Sequence, residues 1–394
     1  MKKPHFFLLF LLLFLLLSAT AFAKSPASPD PTGPDHIPGQ PLKLAAKSWL
    51  LYDNTSHQVL LEENGNQRIE PASMTKLMTA YLALAAIREH RISPDDRITP
   101  SAQAAHTEHG EPRMFLSGNK PVTVDELLNG LIVASASDAA HALAEAIAGN
   151  ETAFAEQMNK QARQLQLADT HFVNASGQAD PMQYSSAHDL ALLTAALIRD
   201  FPESLPRFAR RDIEYKGIKL YNRNRLLWSD SNVDGMMSSH SDDSGYSMVA
   251  STSRNNHRLI AVVLGAANDN LRNSESQRLM NYGYQDFELF NFYKPSETIS
   301  RVRIWKGTES EVKIGLREGL TLTLPQGQRE LLKASIETQQ PLVAPISEGQ
   351  QLGLLKLTLD GKPYMELPLV AVEPIALVNI FSRGIQSIRM MFIR

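Results

Sequence analysis

The order of strand-like and helix-like segments in residues 42–292 restricts the fold of this chain more than any other feature. Four strand-like runs form two predicted hairpins, one near each end of the region: 46–52 with 58–62, and 245–251 with 258–265. Two long helical patterns lie between the hairpins, at 72–90 and 187–198. Strands at both ends with helices between them predict an α+β domain whose terminal strands share one antiparallel sheet.

The pattern changes near residue 295, where short alternating strands replace the helices. The strand-like runs are separated by Gly and Pro turns and lie at 302–305, 311–314, 320–324 and 353–359. They predict a second, all-β domain over residues 295–375, a small sandwich. The segment has no cluster of His, Cys and carboxylate residues typical of a metal site, so we interpret it as a structural or spacer module.

The N-terminal segment is typical of an export signal. Basic residues at positions 2 and 3 precede the apolar run 6–17, and the segment 18–23 ends in an A-x-A pattern. We predict a signal peptide over residues 1–23, although an uncleaved membrane anchor is the alternative. The apolar run is shorter than the roughly 20 residues that a bilayer requires, which favours cleavage. Residues 24–41, rich in Pro, Ser, Gly and Asp, are predicted to form a flexible linker.

The C-terminal segment 376–394 combines apolar residues at helical spacing with a purely cationic set of charges. The apolar residues are Phe381, Ile385, Ile388 and Phe392, and the charged ones are Arg383, Arg389 and Arg394. This pattern predicts an amphipathic helix on a membrane surface, with a helix packed against the protein as the alternative. With the signal peptide, it predicts an exported, peripheral protein on the outer, periplasmic face of the cytoplasmic membrane.

Composition excludes several functional classes. The net charge of -3 over 394 residues provides no broad basic surface, so we expect no nucleic-acid partner. The chain has no cysteine, which excludes disulfides, a thiol nucleophile and thiolate metal ligands. No pattern in the sequence predicts a cofactor or a metal.

The first sign of chemistry is a lysine inside the apolar helical pattern at 72–90. Lys76 follows Ser73 by three residues, so the two side chains share one face of the predicted helix. Free backbone N–H groups at a helix start can also stabilise a developing oxyanion. A single S-x-x-K pattern is expected by chance about once or twice in such a chain. Alone, it favours a lysine that extends along an amphipathic helix to reach water.

Further segments agree with one family, in the following order along the chain. They are P-A-S-M-T-K-L-M-T at 71–79, L-I-V-A-S-A-S-D-A-A at 131–140, N-A-S-G at 174–177, Y-S-S-A-H-D-L-A at 184–191, N-R-N-R-L-L-W at 222–228, V-D-G at 233–235, His240, and G-Y-S-M-V-A-S at 245–251. In these segments, and in its second domain and terminal helix, the chain resembles the low-molecular-mass penicillin-binding proteins that are D-alanyl-D-alanine carboxypeptidases, peptidase family S11. The resemblance implies a β-lactamase/transpeptidase-like domain before the all-β domain.

The resemblance also implies roles for individual residues. Ser73 is expected to attack the carbonyl of a terminal D-Ala-D-Ala peptide and form an acyl-enzyme. Lys76 is the expected base, and Ser135 is expected to relay the proton to the leaving amine. The substrate is the peptidoglycan pentapeptide, and β-lactams would acylate the same serine. The residues expected to contact the substrate are Ser137, Met237, Ser238, Ser239 and His240.

Two motifs depart from the family pattern. S-x-N reads Ser135-Ala136-Ser137, and K-T-G reads Met237-Ser238-Ser239. Loss of the lysine removes a charge-assisted contact worth roughly 1.5–3 kcal/mol, or about 10- to 150-fold in rate. It also removes a cation that would help to keep Lys76 neutral. His240 and Arg258 are the remaining cationic candidates in this part of the sequence.

Two hypotheses follow from these departures. The chain is a D-Ala-D-Ala carboxypeptidase with reduced activity, because Ser73, Lys76 and Ser135 are retained. Alternatively, it is a catalytically impaired pseudoenzyme that binds peptidoglycan or a cell-envelope partner. A β-lactamase is disfavoured, because no E-x-x-L-N-like stretch supplies a deacylating glutamate.

Overall fold

The structure is a computed structural model that describes residues 42–108, 110–380 and 387. The predicted signal peptide and linker, 1–23 and 24–41, lie outside the described residues, as does almost all of the predicted terminal helix after residue 380. Within the described part of the chain, no helix has both the length and the apolar character needed to cross a membrane.

The helices come first in the chain and the second half is mainly strands. The α-helices are α1 Lys76–Arg88, α2 Val124–Val133, α3 Ser137–Ala148, α4 Glu151–Gln164, α5 Ala187–Asp200, α6 Leu205–Phe208, α7 Leu226–Ser229 and α8 Asp269–Asp286. Short 3-10 helices span Ala72–Thr75, Pro202–Ser204 and Arg329–Leu331.

The strands form two large sheets, one within residues 48–266 and one within residues 298–371. In the following lists, the first half of the described chain ends at residue 266. Those of the first half are β1 Ser48–Asp53, β2 Gln58–Glu63, β3 Arg97–Ile98, β4 Val122–Thr123, β5 Asp212–Tyr215, β6 Ile218–Tyr221, β7 Val233–Ser241, β8 Gly245–Arg254 and β9 His257–Ala266. Those of the second half are β10 Phe287–Tyr293, β11 Thr298–Trp305, β12 Glu311–Gly315, β13 Leu320–Pro325, β14 Leu332–Thr338, β15 Leu342–Val343, β16 Gln351–Leu359 and β17 Lys362–Ala371.

The main sheet joins the two ends of the first domain. Its order is β2-β1-β9-β8-β7, and every neighbouring pair is antiparallel. In the β1–β9 register, Leu51 lies opposite Ala261. The predicted sheet shared by both terminal hairpins is therefore confirmed, as is the α+β class.

Strand β1 is buried along its whole length because both faces of the sheet are covered. Successive side chains of a strand point to opposite faces. Leu50 packs accordingly into the large core shared with the helices, whereas Leu51 packs into the smaller core beneath α8. The sheet is thus a central layer between a helical cluster and α8.

Helix α1 lies at the centre of the helical cluster. Eleven of its thirteen residues are buried, so it has no solvated face along which a lysine could reach water. Helix α2 packs beside it and begins with a capping box, in which the Thr123 hydroxyl and the Glu126 carboxylate each accept from the other residue's backbone N–H.

Residues 287–376 contain strands and one short 3-10 helix but no α-helix, which agrees with the predicted all-β second domain. A six-stranded sheet, β14-β16-β17-β12-β11-β15, and the pair β10-β13 enclose a core of Val, Ile and Leu side chains. Strand β10 precedes the predicted start of this domain at residue 295 and pairs with β13. Its alternating aromatic sequence F-E-L-F-N-F-Y is a strand signal that sequence reasoning overlooked.

The two domains meet through polar contacts of the β1–β2 hairpin. The Gln58 side chain accepts the Thr323 backbone N–H at 2.7 Å and donates to the Tyr364 hydroxyl at 2.7 Å. Asp53, fully buried, accepts hydrogen bonds from the Thr323 hydroxyl and the Thr55 backbone N–H. Buried polar groups paired in this way add little driving force but fix one relative position of the domains.

Candidate active site

Ser73 and Lys76 lie at the start of the central helix. Ser73 is in the 3-10 turn that precedes α1, and Lys76 is the first residue of α1. The Lys76 ammonium nitrogen is 3.2 Å from the Ser73 hydroxyl and 2.6 Å from the Ser176 carbonyl oxygen. Because Lys76 is only 1% exposed, the alternative of a lysine that extends along the helix to water is wrong.

A loop at residues 174–177 holds this helix start in place. The Thr79 hydroxyl donates to the Ala175 carbonyl at 2.7 Å, and the Asn174 side chain accepts the Gly177 N–H at 2.7 Å. Gly177 has φ +82°, and a Cβ there would lie 1.8 Å from the Ala72 carbonyl oxygen. The loop can approach Ser73 this closely only because residue 177 is glycine.

The S-A-S motif lies between α2 and α3. Ser135 adopts φ +55°, and the Ser137 N–H donates to the Pro112 carbonyl at 2.7 Å. The Asp138 carboxylate accepts the N–H groups of Met114 and Leu116, which fixes the preceding loop against α3. The Ser135 and Ser137 hydroxyls are buried and have no hydrogen-bond partner within the described part of the chain. Ser137 lines the cavity that contains Ser73 and Lys76, whereas Ser135 is not among its lining residues.

The M-S-S motif lies on β7, which is an edge strand of the main sheet. Ser238, Ser239 and His240 line a cavity that also contains Ser73 and Lys76, and the Ser238 hydroxyl is buried without a partner. Met237 is 3% exposed, packs in the main core and is not among the residues that line the cavity. Its predicted contact with substrate stays a prediction.

Three arginines that sequence reasoning did not single out supply positive charge to the cavity. They are Arg223, Arg225 and Arg272. Arg272 is 5% exposed and donates to the Ser239 carbonyl at 3.1 Å. It pairs with Asp269, but its Nε has no partner.

Two signals in the sequence could have led to these arginines. Arg223 lies inside the N-R-N segment that resembles the family, and Arg272 lies on the buried face of α8, where a charge requires an explanation. Arg258, the candidate named from the sequence, instead forms a two-pronged ion pair with Asp234 and does not line the cavity.

The cavity has a volume of about 980 Å³, sufficient for a peptide. Acidic residues line it as well: Glu70, Glu108, Glu111, Asp242 and Asp269. Within the described part of the chain, no group of three or more His, Asp and Glu side chains is placed to hold a metal ion.

Comparison with known proteins agrees with this geometry. The family model described as D-alanyl-D-alanine carboxypeptidase matches residues 35–268, and the model described as penicillin-binding protein 5, C-terminal domain, matches residues 287–376. The chain belongs to the D-alanyl-D-alanine carboxypeptidase family, peptidase S11. The resemblance noted in the motifs is therefore confirmed.

Individual members of the carboxypeptidase family resemble the chain over nearly its full length. D-alanyl-D-alanine carboxypeptidase DacC of Escherichia coli is 37% identical over 96% of this chain and 94% of its own length. The carboxypeptidase DacD of the same organism is 36% identical over 97% and 98%. Penicillin binding protein 5 from Haemophilus influenzae has a solved structure with a TM-score of 0.82 and 37% identity, covering 86% of this chain and 99% of that one.

The environment of Lys76 shifts the pKa of its side chain toward neutral pH. The pKa of Lys76 is lowered from its usual 10.5 to about 7, chiefly by burial, and the nearby Arg223 guanidinium contributes to this lowering. The Glu111 and Asp138 carboxylates act in the opposite direction. Arg223 therefore supplies part of the positive field that the missing K-T-G lysine would provide.

The rate of Ser73 acylation should rise with pH as Lys76 loses its proton, and this rise is the acidic limb of the pH–rate profile. We expect Arg223→Gln to move the acidic limb to higher pH and Glu111→Gln to move it to lower pH. Acylation requires neutral Lys76, so with a pKa of about 7 the wild-type rate at pH 6 should be roughly a tenth of its plateau. Removing a neighbouring cation raises the pKa of Lys76, and removing a neighbouring carboxylate lowers it.

The measurement is the rate constant for penicillin acylation between pH 5 and pH 9, and the midpoint of the limb is the readout. The plateau is a separate quantity, because Arg223 also lines the cavity. Limbs that coincide in all three proteins would show that neither charge influences Lys76.

Proposed function

We propose that this chain is a serine-type carboxypeptidase that removes the terminal D-alanine from peptidoglycan stem peptides. Ser73 Oγ forms an ester bond to the penultimate D-alanine carbonyl carbon, and the bond from that carbon to the terminal D-alanine nitrogen breaks. Water then hydrolyses the ester, releasing the shortened peptide and restoring the Ser73 hydroxyl.

Proton transfer is assigned to Lys76 and Ser135. Neutral Lys76, 3.2 Å from Ser73 Oγ, accepts the hydroxyl proton as the nucleophile attacks. The Ser135 hydroxyl, which is buried without a hydrogen-bond partner among the described residues, passes a proton to the leaving amine. Backbone N–H groups at the helix start are suited to stabilise the oxyanion.

Substrate positioning is assigned to the β7 wall and the arginines. A peptide in extended conformation can add to the free edge of β7, with Ser137 and Ser238 donating to its backbone. Its terminal carboxylate can pair with the unpartnered Nε of Arg272 or with Arg223. The site would thus retain a cationic pocket without the K-T-G lysine.

One observation carries the proposal. Lys76 is fully buried with a pKa of about 7 and lies within hydrogen-bond reach of Ser73, in a cavity large enough for a peptide. A structural lysine would be expected to reach water or to form an ion pair. A buried, near-neutral amine beside a serine is the arrangement that activates a nucleophile.

The test is intact-protein mass spectrometry of the full-length chain after incubation with penicillin and, separately, with a D-Ala-D-Ala pentapeptide. We expect a covalent penicilloyl adduct on Ser73 and release of D-alanine, both abolished by Ser73→Ala. An adduct without D-alanine release would indicate a competent nucleophile that no longer turns over this peptide. If neither occurs under conditions in which an active family member reacts, the pseudoenzyme hypothesis replaces this proposal.

We also propose that the protein is exported and peripheral to the outer face of the cytoplasmic membrane. The support is the signal-like segment 1–23 and the amphipathic pattern of 376–394. Fractionation of cells that express the full-length chain tests this. We expect the full-length chain in the membrane fraction and the chain without residues 376–394 in the periplasm. Recovery in the cytoplasm would contradict the proposal.

Met237→Lys should raise kcat/KM for the pentapeptide by less than about tenfold, because Met237 packs in the core outside the cavity lining and Arg223 and Arg272 already place positive charge on the cavity wall. Since Met237 is 3% exposed, the same change should lower the thermal midpoint. Steady-state D-alanine release measures the gain, and Met182→Lys, at a 63% exposed position, controls for added charge. A gain of tenfold or more in a folded Met237→Lys protein would show that the arginines do not replace the missing cation.

A further inference from the structure

Ala175, in the loop that holds the start of α1, is hydrogen-bonded through both of its backbone polar groups. Its carbonyl accepts the Thr79 hydroxyl of α1 at 2.7 Å, and its N–H donates to Glu151 Oε1 of α4 at 3.0 Å. The carbonyl of the next residue, Ser176, accepts the Lys76 amine at 2.6 Å. Because the peptide unit that joins the two loop residues is planar and rigid, the place of the Ser176 carbonyl depends on how Ala175 is held.

Glu151 is held in turn by a histidine. His141 Nδ1 on α3 lies 2.9 Å from the same Oε1 atom that accepts the Ala175 N–H. Burial raises the pKa of the Glu151 carboxyl, but the hydrogen bond and charge of His141 and the Ala175 N–H outweigh burial and hold the pKa below its usual range. The side chain is therefore an ionised acceptor at neutral pH.

Helix α4 contacts this part of the chain at a second point. Asn159 Oδ1 accepts the Phe172 N–H at 2.9 Å, and Asn159 Nδ2 donates to the Phe172 carbonyl at 2.7 Å. Asn159 lies eight residues after Glu151, on the same side of the helix. Helix α4 therefore fixes both ends of the segment 172–175, and neither of its two side chains is among the residues that line the cavity.

Two explanations of Glu151 make different demands on its side chain. It is the first residue of α4, where a negative charge stabilises the helix through its dipole. That effect requires charge, which aspartate supplies as well. The bond to Ala175 instead requires an acceptor oxygen at the reach of glutamate or glutamine. The carboxylates that raise the pKa of Lys76 are Glu111 and Asp138, so an effect of Glu151 on Lys76 is one of geometry.

We propose that Glu151 is a positioning residue for Lys76, and that His141 holds the Glu151 side chain in the orientation this requires. Through the loop backbone, the carboxylate keeps the Ser176 carbonyl against the Lys76 amine, so that the amine stays within reach of the Ser73 hydroxyl. The inference rests on the proposed function, in which Lys76 is the base for acylation of Ser73. Neither member of the pair is among the residues that line the cavity, so the pair acts on the reaction through Lys76.

The first test separates side-chain reach from charge. The rate constant for penicillin acylation of the full-length chain is measured at pH 9, where Lys76 is neutral. Glu151→Gln keeps an acceptor oxygen at the same reach, so it should acylate within about threefold of the parent rate. Glu151→Asp and Glu151→Ala cannot reach Ala175, so both should acylate about 10- to 100-fold more slowly, the usual effect of a small displacement near a catalytic group. Glu156→Ala, which removes an exposed glutamate from the same helix, is the matched control and should acylate at the parent rate.

The second test asks whether the effect passes through Lys76. Glu151→Asp is combined with Lys76→Met, and the four rate constants form a double-mutant cycle. Once the amine is absent its position no longer matters, so Glu151→Asp should slow the Lys76→Met chain by less than about threefold. A general loss of structure would slow both chains by the same factor. His141→Phe, which keeps a ring but no hydrogen-bonding nitrogen, should slow the parent chain by about three- to tenfold.

Parent-like acylation by Glu151→Asp would overturn the proposal, and slow Glu151→Gln beside it would assign the effect to the charge at the helix start. This comparison does not require Glu151→Ala to fold. Equal slowing in both backgrounds would make Glu151 a structural residue only, and parent-like His141→Phe would remove His141 from the pair. Parent-like acylation by Lys76→Met would also overturn the proposal, because no base would remain for Glu151 to position. A parent chain that forms no penicilloyl adduct rejects the proposed function itself.

Discussion

Lys76→Met should reduce the rate of penicillin acylation by about 10²- to 10⁴-fold, the usual contribution of a positioned general base. Methionine fills a similar volume but cannot accept the Ser73 proton. Lys160→Met, which removes an exposed lysine on α4, is the matched control and should acylate at the wild-type rate. The rate constant comes from the growth of the penicilloyl adduct in intact-mass spectra, and acylation of Lys76→Met within tenfold of the control would exclude Lys76 as the base.

The Lys76→Met variant should also show by how much a buried lysine with a lowered pKa reduces the stability of the folded protein. In the unfolded chain Lys76 has its usual pKa of 10.5, whereas in the folded chain burial lowers the pKa to about 7. Between these values the unfolded chain binds a proton that the folded chain does not, so wild-type stability falls as pH falls from 10.5 to 7 and levels off below 7. The slope contributed by Lys76 is about 1.4 kcal/mol per pH unit.

Lys76→Met lacks that slope, so its stability relative to wild type should be higher at pH 7 than at pH 10. The lost hydrogen bond to the Ser176 carbonyl offsets part of the gain, by roughly 1–3 kcal/mol. Denaturant unfolding at both pH values measures the difference. A relative stability that does not change with pH would show that the pKa of Lys76 is not lowered.

Local patterns in the sequence predicted most of the fold. The helix at 72–90, the two hairpins and the shared antiparallel sheet follow from hydrophobic period and turn residues, and the structure confirms them. The 3-10 turn at Ala72–Thr75 was not foreseen, because its conformation depends on the loop at 174–177, about a hundred residues away.

The site was only partly predictable for the same reason. Ser73 and Lys76 are three residues apart, so a local pattern brings them together, and the family motifs added Ser135 and Ser137. Long-range contacts bring Arg223 and Arg272 to the cavity, and spacing along the chain does not encode such contacts. Arg258 was only a cationic candidate, with a structural role at its strand as the alternative, and its partner Asp234 could not be predicted because it lies on another strand, 24 residues away.

Ser73 and Lys76 are retained, whereas the charged residues around them differ from the family pattern. In place of the K-T-G lysine there is a methionine in the core, while Arg223 and Arg272 place positive charge on the cavity wall. Of these two arginines, Arg223 lowers the pKa of Lys76. Loss of one motif lysine is for this reason weaker evidence against turnover than the motif alone indicates.

Gly177→Ala should be the most damaging single-methyl change near the site. The added Cβ would lie 1.8 Å from the Ala72 carbonyl oxygen and 3.1 Å from the Ser73 nitrogen, and these backbone atoms cannot rotate away. We expect a loss of stability of more than about 3 kcal/mol, in the range of strongly destabilising substitutions. In whatever fraction folds, the Ser176 carbonyl should move from Lys76, and acylation should fall at least about a hundredfold.

Gly149→Ala separates the steric cost of this substitution from its backbone cost. Gly149 has φ +81°, almost the same as Gly177 at +82°, but a Cβ there would meet no atom within 4 Å. The Gly149→Ala variant should therefore lose only roughly 1–2 kcal/mol of stability, the cost of alanine in a left-handed conformation, and should acylate at the wild-type rate. Denaturant midpoints and acylation rates of both variants are compared with wild type. If the two variants lose equal stability and both acylate at the wild-type rate, the loop at 174–177 does not hold Ser73 and Lys76 in place, and their geometry must be set by α1 alone.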